Sequence, residues 1–263
     1  MRYVLVTGAY GGMGKAVTQK LKNEGYCVFA LDKKVEEQEE GIIPIEVDVT
    51  DVKSVEKAYT RVKETTDFLD AIVHFAGIYN LDSLLEIEEE QFKRIFDINL
   101  FGVYRVNKTF LPLLGKGSRI IITTSELAPL DPLPFTGIYA LTKSVLDKYA
   151  YSLRMEVQLL GIDVAVLRPG AVKTDMLGVS TNALDRFCEN TKLYSCNAKR
   201  FKKIVDGVEA KNITSEKLAS LVTRILRAKH PKYVYKINRN PLLLMLNILP
   251  KRMQTFVIKM VLK

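Results

Sequence analysis

The chain has 263 residues, of which 48% are hydrophobic and 26% are charged, as in a folded domain with an ample core. Its net charge of +9 would suit an acidic partner, yet many basic residues follow residue 190, and no nucleic-acid-binding motif is present. Three cysteines and two histidines form no zinc-binding pattern, and no run reaches the ~20 apolar residues of a spanning helix, so we expect no metal and a cytoplasmic location.

The first predicted strand, residues 3–6, runs directly into a glycine-rich loop and then into a predicted helix at 15–23. Glycines in such a loop allow a tight turn and let a pyrophosphate approach the helix N-terminus, where free N–H groups favour anions. A glycine pattern between a strand and a helix therefore predicts a dinucleotide site. The loop residues assigned to the cofactor are Thr7, Gly8, Tyr10, Gly11, Gly12, Met13 and Gly14.

Asp32 ends the second predicted strand, residues 27–31, and lies eighteen residues past Gly14. An acid at this distance is suited to hydrogen-bond the adenosine ribose hydroxyls of NAD(H), and its charge repels the 2′-phosphate of NADP(H). NAD(H) is therefore the favoured cofactor. Lys33 and Lys34 follow at once and could offset part of that repulsion, so NADP(H) is kept as the alternative.

The third predicted strand, residues 42–47, contains Pro44, which lacks the N–H that a central strand must donate. We therefore place this strand at the edge of a sheet with the order 3-2-1-4. Asn99 falls inside a later helix, where asparagine is a weak helix former, which indicates a use beyond packing. The elements that follow the third strand are a helix at 54–62, a fourth strand at 71–75 and a long helix at 91–114.

Tyr139 and Lys143 lie four residues apart, on one face of a predicted helix. A nearby ammonium favours the phenolate and lowers the pKa of a tyrosine, which can then exchange a proton with a hydroxyl or carbonyl oxygen. Ser125 lies at the carboxyl end of a fifth strand, the edge at which open α/β sheets bind ligands. The strands and helix that complete the domain are predicted at 120–123, 163–167, 215–227 and 232–236.

Several short motifs are informative through their order and spacing: Thr7-Gly8-x-x-x-Gly12-x-Gly14, Asp32, Asp48-Val49, Ala76-Gly77, Asn99, Ser125, Tyr139-x-x-x-Lys143 and Arg168-Pro169-Gly170 with Thr174. Together they resemble the short-chain dehydrogenase/reductase family over residues 3 to about 174. The resemblance implies a single α/β domain over residues 1–238, with a doubly wound Rossmann sheet of seven parallel strands. It also implies hydride transfer between a nicotinamide cofactor and a small alcohol or ketone, and a homodimer or homotetramer.

The resemblance further implies roles for individual residues. Tyr139 exchanges the proton with the substrate oxygen, Lys143 lowers the pKa of the tyrosine and holds the nicotinamide ribose, and Ser125 donates a hydrogen bond to that oxygen. Asn99 holds a water that links Lys143 to solvent. The other residues implied to contact the cofactor are Asp48, Val49, Ala76, Gly77, Val172 and Thr174, the last through the nicotinamide carboxamide.

Three features depart from the family pattern. His74-Phe75 stands where the family usually has two asparagines, which changes the local hydrogen bonding. Segment 33–41 is too short for a usual crossover helix, so the adenine pocket is expected to be more open. Ser125 precedes Tyr139 by one residue more than is usual. The proline-rich loop between them can absorb that residue, and Thr124 is the alternative hydroxyl.

Two segments lie outside the motifs. Residues 176–212 mix apolar with basic side chains without clear periodicity, which predicts a lid or binding loop beside the site. Residues 239–263 form a hydrophobic and basic tail, typical of a membrane-surface helix, a substrate-mouth cover or a subunit contact. The tail residues that recur at helical spacing are Met253, Phe256, Val257, Met260 and Val261.

Steroid and retinol dehydrogenases of the family often end similarly, which favours a lipophilic substrate and a peripheral membrane contact. The leading hypothesis is an NAD(H)-dependent dehydrogenase or ketoreductase of a steroid-, retinoid- or lipid-like molecule. One rival is an NADPH-dependent reductase of acyl-thioester or sugar ketones. Another is a cofactor-sensing protein without activity; such sensors tend to lose the tyrosine or lysine, and both Tyr139 and Lys143 are present.

Overall fold

The structure is a computed structural model that describes residues 1–173, 175–209 and 211–263, with the side chains of 175–182 and 208–209 outside the description. The predicted cofactor residue Thr174 lies outside the described residues. In chain order the elements are β1 (Arg2–Thr7), α1 (Gly12–Asn23), β2 (Tyr26–Asp32), β3 (Ile42–Glu46), α2 (Val52–Lys63), β4 (Ala71–His74), α3 (Glu89–Phe96), α4 (Gly102–Phe110), β5 (Arg119–Thr123), α5 (Gly137–Val157), β6 (Asp163–Pro169), β7 (Val172–Lys173), α6 (Asp175–Asn190), α7 (Ser195–Glu209), β8 (Ile213–Thr214), α8 (Ser215–Arg227), β9 (Val234–Ile237), α9 (Pro241–Ile248) and α10 (Lys251–Leu262).

Seven strands form one parallel sheet in the order β3-β2-β1-β4-β5-β6-β9. The predicted seven-stranded doubly wound sheet is confirmed, and so is the edge position of β3, which carries Pro44. The short strands β7 and β8 pair separately. Because the order reverses between β1 and β4, the carboxyl ends of these two strands border the crevice in which such sheets bind ligands.

The core lies in two layers, one on each face of the sheet. Side chains alternate along a strand, so Val4 and Val6 of β1 pack into the layer that contains α1 and α8. Leu5 points to the opposite face, where it joins buried residues of α2 and α4. A third buried cluster joins β5 and β6 to α5. These clusters fill the space between the sheet and its helices, and interiors packed in this way have few voids.

The sequence predicts one continuous helix over 91–114, and this prediction is wrong in detail. The structure contains α3, a π-helical stretch at Asp97–Phe101, α4 and a 3₁₀ turn at Leu111–Leu113. Asn99 is fully buried in the middle of the π-helical stretch. Such stretches are rare and occur frequently at functional sites. A periodicity analysis misses them, because one wider turn scarcely changes the pattern of apolar residues.

The segment beside the site is helical rather than irregular. Residues 176–212 fall mainly in α6 and α7, whose Phe187 and Phe201 pack on Phe135, with ring centroids 4.7 and 5.5 Å away. Phe135 belongs to the loop before α5 and has φ of +65°, which is uncommon for a bulky residue. Strain of this kind persists where surrounding packing over-determines it. The aromatic contacts of Phe135 attach α6 and α7 to the rest of the domain.

The tail forms two helices that cover the same side of the molecule. α10 buries Leu262 against the cluster around Phe201, while Ile258 packs on it partly buried. The predicted apolar stripe of α10 faces outward instead: Phe256 is 64% and Met260 66% exposed. On α9, the exposed apolar residues are Leu242, Met245 and Ile248. Within the described part of the chain, no helix is both long and apolar enough to cross a bilayer.

Candidate active site

The glycine loop is packed too tightly for larger residues at two of its predicted positions. A Cβ on Gly8, whose φ is +66°, would lie 2.6 Å from the backbone nitrogen of Ala76. A Cβ on Gly14 would lie 1.9 Å from the carbonyl oxygen of Gly8. The hydroxyl of Thr7 accepts a hydrogen bond from Ala76 N at 3.3 Å, which ties the ends of β1 and β4 together.

The start of α1 completes a cradle for an anion. Its N-cap residue is Gly11, which has no side chain that could cap the helix. The amides of the first turn therefore have no carboxylate or hydroxyl cap at this position. A helix N-terminus of this kind, approached closely through glycines, is suited to a pyrophosphate. The structure thus brings the predicted loop residues and Ala76 together in a form that fits a dinucleotide.

Asp32 lies at the end of β2, where its carboxylate is fixed by backbone amides. Its Oδ2 accepts from Tyr10 N at 3.0 Å, and its Oδ1 accepts from Lys33 N at 2.8 Å. The ammonium of Lys33 turns away and pairs with Asp48 at 2.6 Å. Burial alone would raise the pKa of Asp48, but hydrogen bonds from Lys33 and Thr50 lower it to about 2. The positive charge of Lys33 is therefore compensated next to the predicted ribose site.

The short segment 33–41 is held against α1 by its acidic residues. Glu36 pairs with Lys15, and Glu39 bonds both Gln19 and Lys22. All of these contacts are exposed, so each contributes little stability on its own. They show how a segment too short for a helix is positioned beside the predicted adenine pocket.

Asn99 joins the loop after β4 to the catalytic helix α5. Its Oδ1 accepts from Ile78 N at 2.8 Å, and its Nδ2 donates to Ile78 O at 3.0 Å and to the hydroxyl of Thr142 at 3.1 Å. The side-chain amide is thus held by protein partners, and the role of Asn99 in holding a water stays a prediction. A Cβ on Gly77 would lie 3.1 Å from Asn99 Oδ1 and 3.7 Å from Lys143 Nζ, so glycine allows this close approach.

Ser125, Tyr139 and Lys143 meet at the carboxyl end of β5, as predicted. The Ser125 and Tyr139 side chains line the same cavity, and the serine hydroxyl acts to lower the pKa of the phenol. Lys143 Nζ lies 5.7 Å from the centroid of the Tyr139 ring and donates to the carbonyl oxygen of Thr123 at 3.1 Å. The alternative hydroxyl, Thr124, is directed at Asp147 and the Leu167 carbonyl instead. The geometry therefore favours Ser125 over Thr124.

The expected lowering of the tyrosine pKa by Lys143 is absent in this arrangement. Burial raises the pKa of Tyr139 to about 12, although the hydrogen bond from Ser125 acts in the opposite direction. Burial also lowers the pKa of Lys143 to about 8. The physical reason is that the lysine amine is itself buried and is turned to the Thr123 carbonyl rather than to the phenol oxygen.

A cavity of about 220 Å³ opens above these three residues and is lined mainly by apolar side chains. Ile204 and Val205 of α7 and Leu243 of α9 form part of its wall. The predicted residues Met13, Gly77 and Val172 also line it. Asp48 and Val49 do not; Val49 is buried in the core beside Gly102. The cavity can hold the reacting part of an apolar molecule with its oxygen at Ser125 and Tyr139.

Comparison with known proteins decides the family. The model described as short chain dehydrogenase matches residues 2–185. The chain belongs to the short-chain dehydrogenase/reductase family. Family membership makes the protein an oxidoreductase that uses NAD(P)(H), which confirms the predicted enzyme class and sets aside the non-enzymatic sensor.

Two relatives and one solved structure illustrate the similarity. A 3-ketodihydrosphingosine reductase of Bacteroides thetaiotaomicron is 27% identical over 237 residues, covering 89% of this dehydrogenase and 87% of the relative. An NADPH-dependent 1-acyldihydroxyacetone phosphate reductase of Schizosaccharomyces pombe is 30% identical over 192 residues, covering 69% and 65%. A short chain dehydrogenase family protein of Francisella tularensis has a TM-score of 0.75 at 24% identity, covering 90% and 97%, and supports the fold.

Several residues at the site of this dehydrogenase were not predicted from the sequence. Glu126 follows Ser125 directly and lines the cavity together with Asn240 and Leu243 of the tail. A charged residue at the carboxyl end of β5 was a usable signal for Glu126. The tail residues carry no comparable signal, because their place in the cavity depends on contacts far apart in the sequence. Among the described residues, no group of three or more His, Cys, Asp or Glu could hold a metal ion.

Proposed function

We propose that this dehydrogenase transfers a hydride between NAD(H) and the carbonyl or carbinol carbon of a lipophilic ketone or secondary alcohol. The observation that carries the proposal is that Ser125, Tyr139 and Lys143 line one mainly apolar cavity. Polar groups placed at one point of an apolar pocket fix the orientation of a ligand and leave its body to hydrophobic contact.

The two hydroxyls act on the substrate oxygen. The raised pKa of Tyr139 keeps its phenol protonated at neutral pH, so it is prepared to donate a proton to a carbonyl oxygen as negative charge develops there. Ser125 donates a second hydrogen bond to the same oxygen. The nicotinamide, when bound, supplies or accepts the hydride. The phenol is therefore in the form that donates a proton to a carbonyl oxygen.

Lys143 lies beside the Tyr139 ring and contributes to the site by binding the cofactor. Its amine is buried, and its pKa of about 8 leaves it close to half protonated slightly above neutral pH. The contact with the Thr123 carbonyl holds it in place beside the Tyr139 ring. We assign it the positioning of the nicotinamide ribose.

The cofactor preference is proposed from Asp32. Its carboxylate is fixed at the end of β2, and the nearest ammonium, that of Lys33, is compensated by Asp48. A 2′-phosphate would meet an uncompensated negative charge, which favours NAD(H). An NADPH-dependent enzyme is the second candidate, because the Schizosaccharomyces pombe relative carries that cofactor in its name and the adjacent Lys34 is exposed.

A lipophilic substrate is supported by the cavity wall and by the relatives. Apolar residues from α7 and α9 form part of the cavity wall. The names of the two relatives describe reduction of a ketosphingosine and of an acyldihydroxyacetone phosphate, both lipid-like molecules. We propose a long-chain ketone or alcohol, rather than an acyl thioester or a sugar.

The tail is proposed to contact a lipid surface. The apolar residues of α9 and α10 that face outward are Leu242, Met245, Ile248, Met253, Phe256, Val257, Met260 and Val261. Basic residues flank them, with Lys251 and Arg252 at the start of α10 and Lys259 and Lys263 near its end. An exposed apolar face with basic neighbours suits anionic headgroups. Because α9 also lines the cavity, a lipid substrate would enter beside the membrane.

A homo-oligomer, common in this family, is proposed to form through α4 and α5. These helices expose Tyr104, Val145, Tyr151 and Met155, which a second subunit would cover.

The decisive experiment measures NADH and NADPH oxidation by the purified enzyme with two ketones, one long-chain and one short and water-soluble. A higher kcat/KM for the long-chain ketone with NADH supports the proposal. Preference for the short ketone would overturn the lipophilic substrate, and preference for NADPH would overturn the cofactor assignment.

A further inference from the structure

Glu126 is the residue of the cavity that the proposed reaction leaves without a role. It follows Ser125 directly, at the carboxyl end of β5, and its side chain lines the same cavity as Tyr139 and Lys143. Its backbone nitrogen donates to the Pro169 carbonyl at 2.9 Å, which fixes it beside the strand β6. A carboxylate in a mainly apolar wall is costly unless something holds its charge.

The two carboxylate oxygens of Glu126 have different surroundings. Oε2 accepts a hydrogen bond from the backbone nitrogen of Asn240, the N-cap of α9, at 2.6 Å. Oε1 lies beside Gly170, where a Cβ would approach it to 2.9 Å, so the glycine makes room for it. Arg239 attracts the carboxylate at longer range, and Arg239 itself is exposed. One oxygen thus anchors the tail, while no hydrogen bond among the described residues uses the other.

Among the described residues, the two charged ones that line the cavity, Lys143 and Glu126, have opposite signs and different surroundings. The ammonium of Lys143 is directed at the Thr123 carbonyl and belongs to the catalytic group. The carboxylate of Glu126 is the charge left to meet a ligand. Partial burial raises its pKa, as expected for a carboxylate that lacks a close cation. A cationic group on the substrate would supply that partner.

We infer that Glu126 forms a subsite for a protonated amine carried close to the reacting carbon, so that the substrate is a long-chain amino ketone or amino alcohol. The inference rests on the proposed function, since it concerns the same cavity. Because Glu126, Ser125 and Tyr139 line one cavity, we place the ammonium on a carbon near the carbonyl and the apolar chain against the residues of α7 and α9 that line the same cavity. Charge-assisted hydrogen bonds of this kind are about twice as strong as neutral ones.

The test compares wild type, Glu126→Gln and an exposed control, Glu156→Gln, on two ketones of equal chain length, with and without an amine beside the carbonyl. Glutamine keeps an acceptor for Asn240 N and removes only the charge. We expect wild type to favour the amino ketone in kcat/KM by roughly 10- to 100-fold. Glu126→Gln should lose that preference with little change on the neutral ketone, while Glu156→Gln behaves as wild type.

Two results would overturn the inference and leave the proposed function standing. One is a wild type that reduces both ketones equally well. The other is a Glu126→Gln enzyme whose kcat/KM falls equally on both, which assigns Glu126 only to anchoring the tail. If wild type reduced neither ketone, the proposed function would fail instead.

A binding measurement keeps the inference falsifiable in that case. Isothermal titration of the NADH-loaded enzyme compares decylamine with decanol. Tighter binding of the amine to wild type, lost in Glu126→Gln, supports the subsite. Equal binding of the amine by both proteins would refute it.

Discussion

The imidazole of His74 lies 2.8 Å from the side-chain oxygen of Asn107, in a fully buried site between β4 and α4. Asn107 in turn donates to the hydroxyl of Tyr149 at 3.2 Å, which links the sheet to α5. The family usually has an asparagine at position 74, and here these hydrogen bonds of His74 take the place of those that an asparagine side chain would make. Burial lowers the pKa of His74 from 6.5 to about 4, so the ring is neutral in the folded protein at neutral pH.

The buried histidine predicts acid sensitivity. Between pH 6.5 and about 4 the unfolded chain binds a proton at His74 and the folded chain does not, so the free energy of unfolding falls as the pH is lowered. The contribution of this residue is about 3 kcal/mol across the window. Urea unfolding at several pH values should show a shallower pH dependence for His74→Asn than for wild type. The exposed His230→Asn serves as control, and an unchanged slope in His74→Asn would contradict the assignment.

Tyr139→Phe should abolish turnover and leave cofactor binding nearly intact. The hydroxyl that moves the proton is removed, while the ring and its edge-on contact with Tyr79 stay in place. Acid–base groups contribute roughly 10²- to 10⁴-fold, so we expect a loss within that range. Steady-state rates and NADH fluorescence titration measure the two effects separately. Tyr151→Phe, the same change at an exposed position of the same helix, should keep wild-type activity; a Tyr139→Phe enzyme with more than about a tenth of that rate would refute the role.

Asp32→Asn should narrow the preference for NADH over NADPH. The amide keeps one oxygen to accept from Tyr10 N and loses the hydrogen bond from Lys33 N, and it removes the charge that repels a 2′-phosphate. The ratio of kcat/KM values for the two cofactors measures the effect, and we expect it to change by roughly tenfold or more. Glu37→Gln, an exposed neutralisation in the following segment, is the matched control. A wild-type enzyme that prefers NADPH would contradict the assignment of Asp32.

Replacing Phe256 and Met260 together by serine should abolish most of the binding to anionic vesicles. Both side chains are exposed, so the folded domain should keep its thermal stability. Each large apolar side chain contributes about 1.5–3 kcal/mol when buried, and the pair should weaken partitioning by at least roughly tenfold. Vesicle sedimentation measures this. The control replaces Leu159 and Leu160, which are exposed away from the tail. Equal losses in the two double variants would argue against a specific membrane face.

Those parts of the fold and site that depend on residues close together in the sequence could be predicted. The glycine loop, Asp32 and the pair Tyr139 and Lys143 are recognisable because their chemistry depends on short spacings. Pro44 placed β3 at the edge, since a missing N–H excludes a central position. Each of these site motifs lies within one short segment of the chain. Their roles in catalysis and cofactor binding stay predictions until the variants are measured.

What the sequence did not reveal depends on contacts between distant segments. Glu126 and Asn240 are 114 positions apart, and nothing local indicates that they meet. The pKa of Tyr139 is a second case. The spacing to Lys143 predicts a lower pKa. In the structure, burial raises the pKa of Tyr139, and the lysine amine is directed at the Thr123 carbonyl. Burial and side-chain direction are tertiary properties that a short motif does not encode.

Pro44 also bears on how the chain avoids wrong associations while it folds. Parallel sheets bring together strands that are far apart in sequence, so they form slowly, and their open edges stay available to other chains in the meantime. An edge that offers an unbroken row of amides is a template for strand addition and aggregation. In β3, Pro44 opposite Ala30 removes one of the few amides of a five-residue strand. Substituting it with valine should leave the native pairing with β2 intact and increase aggregation during refolding.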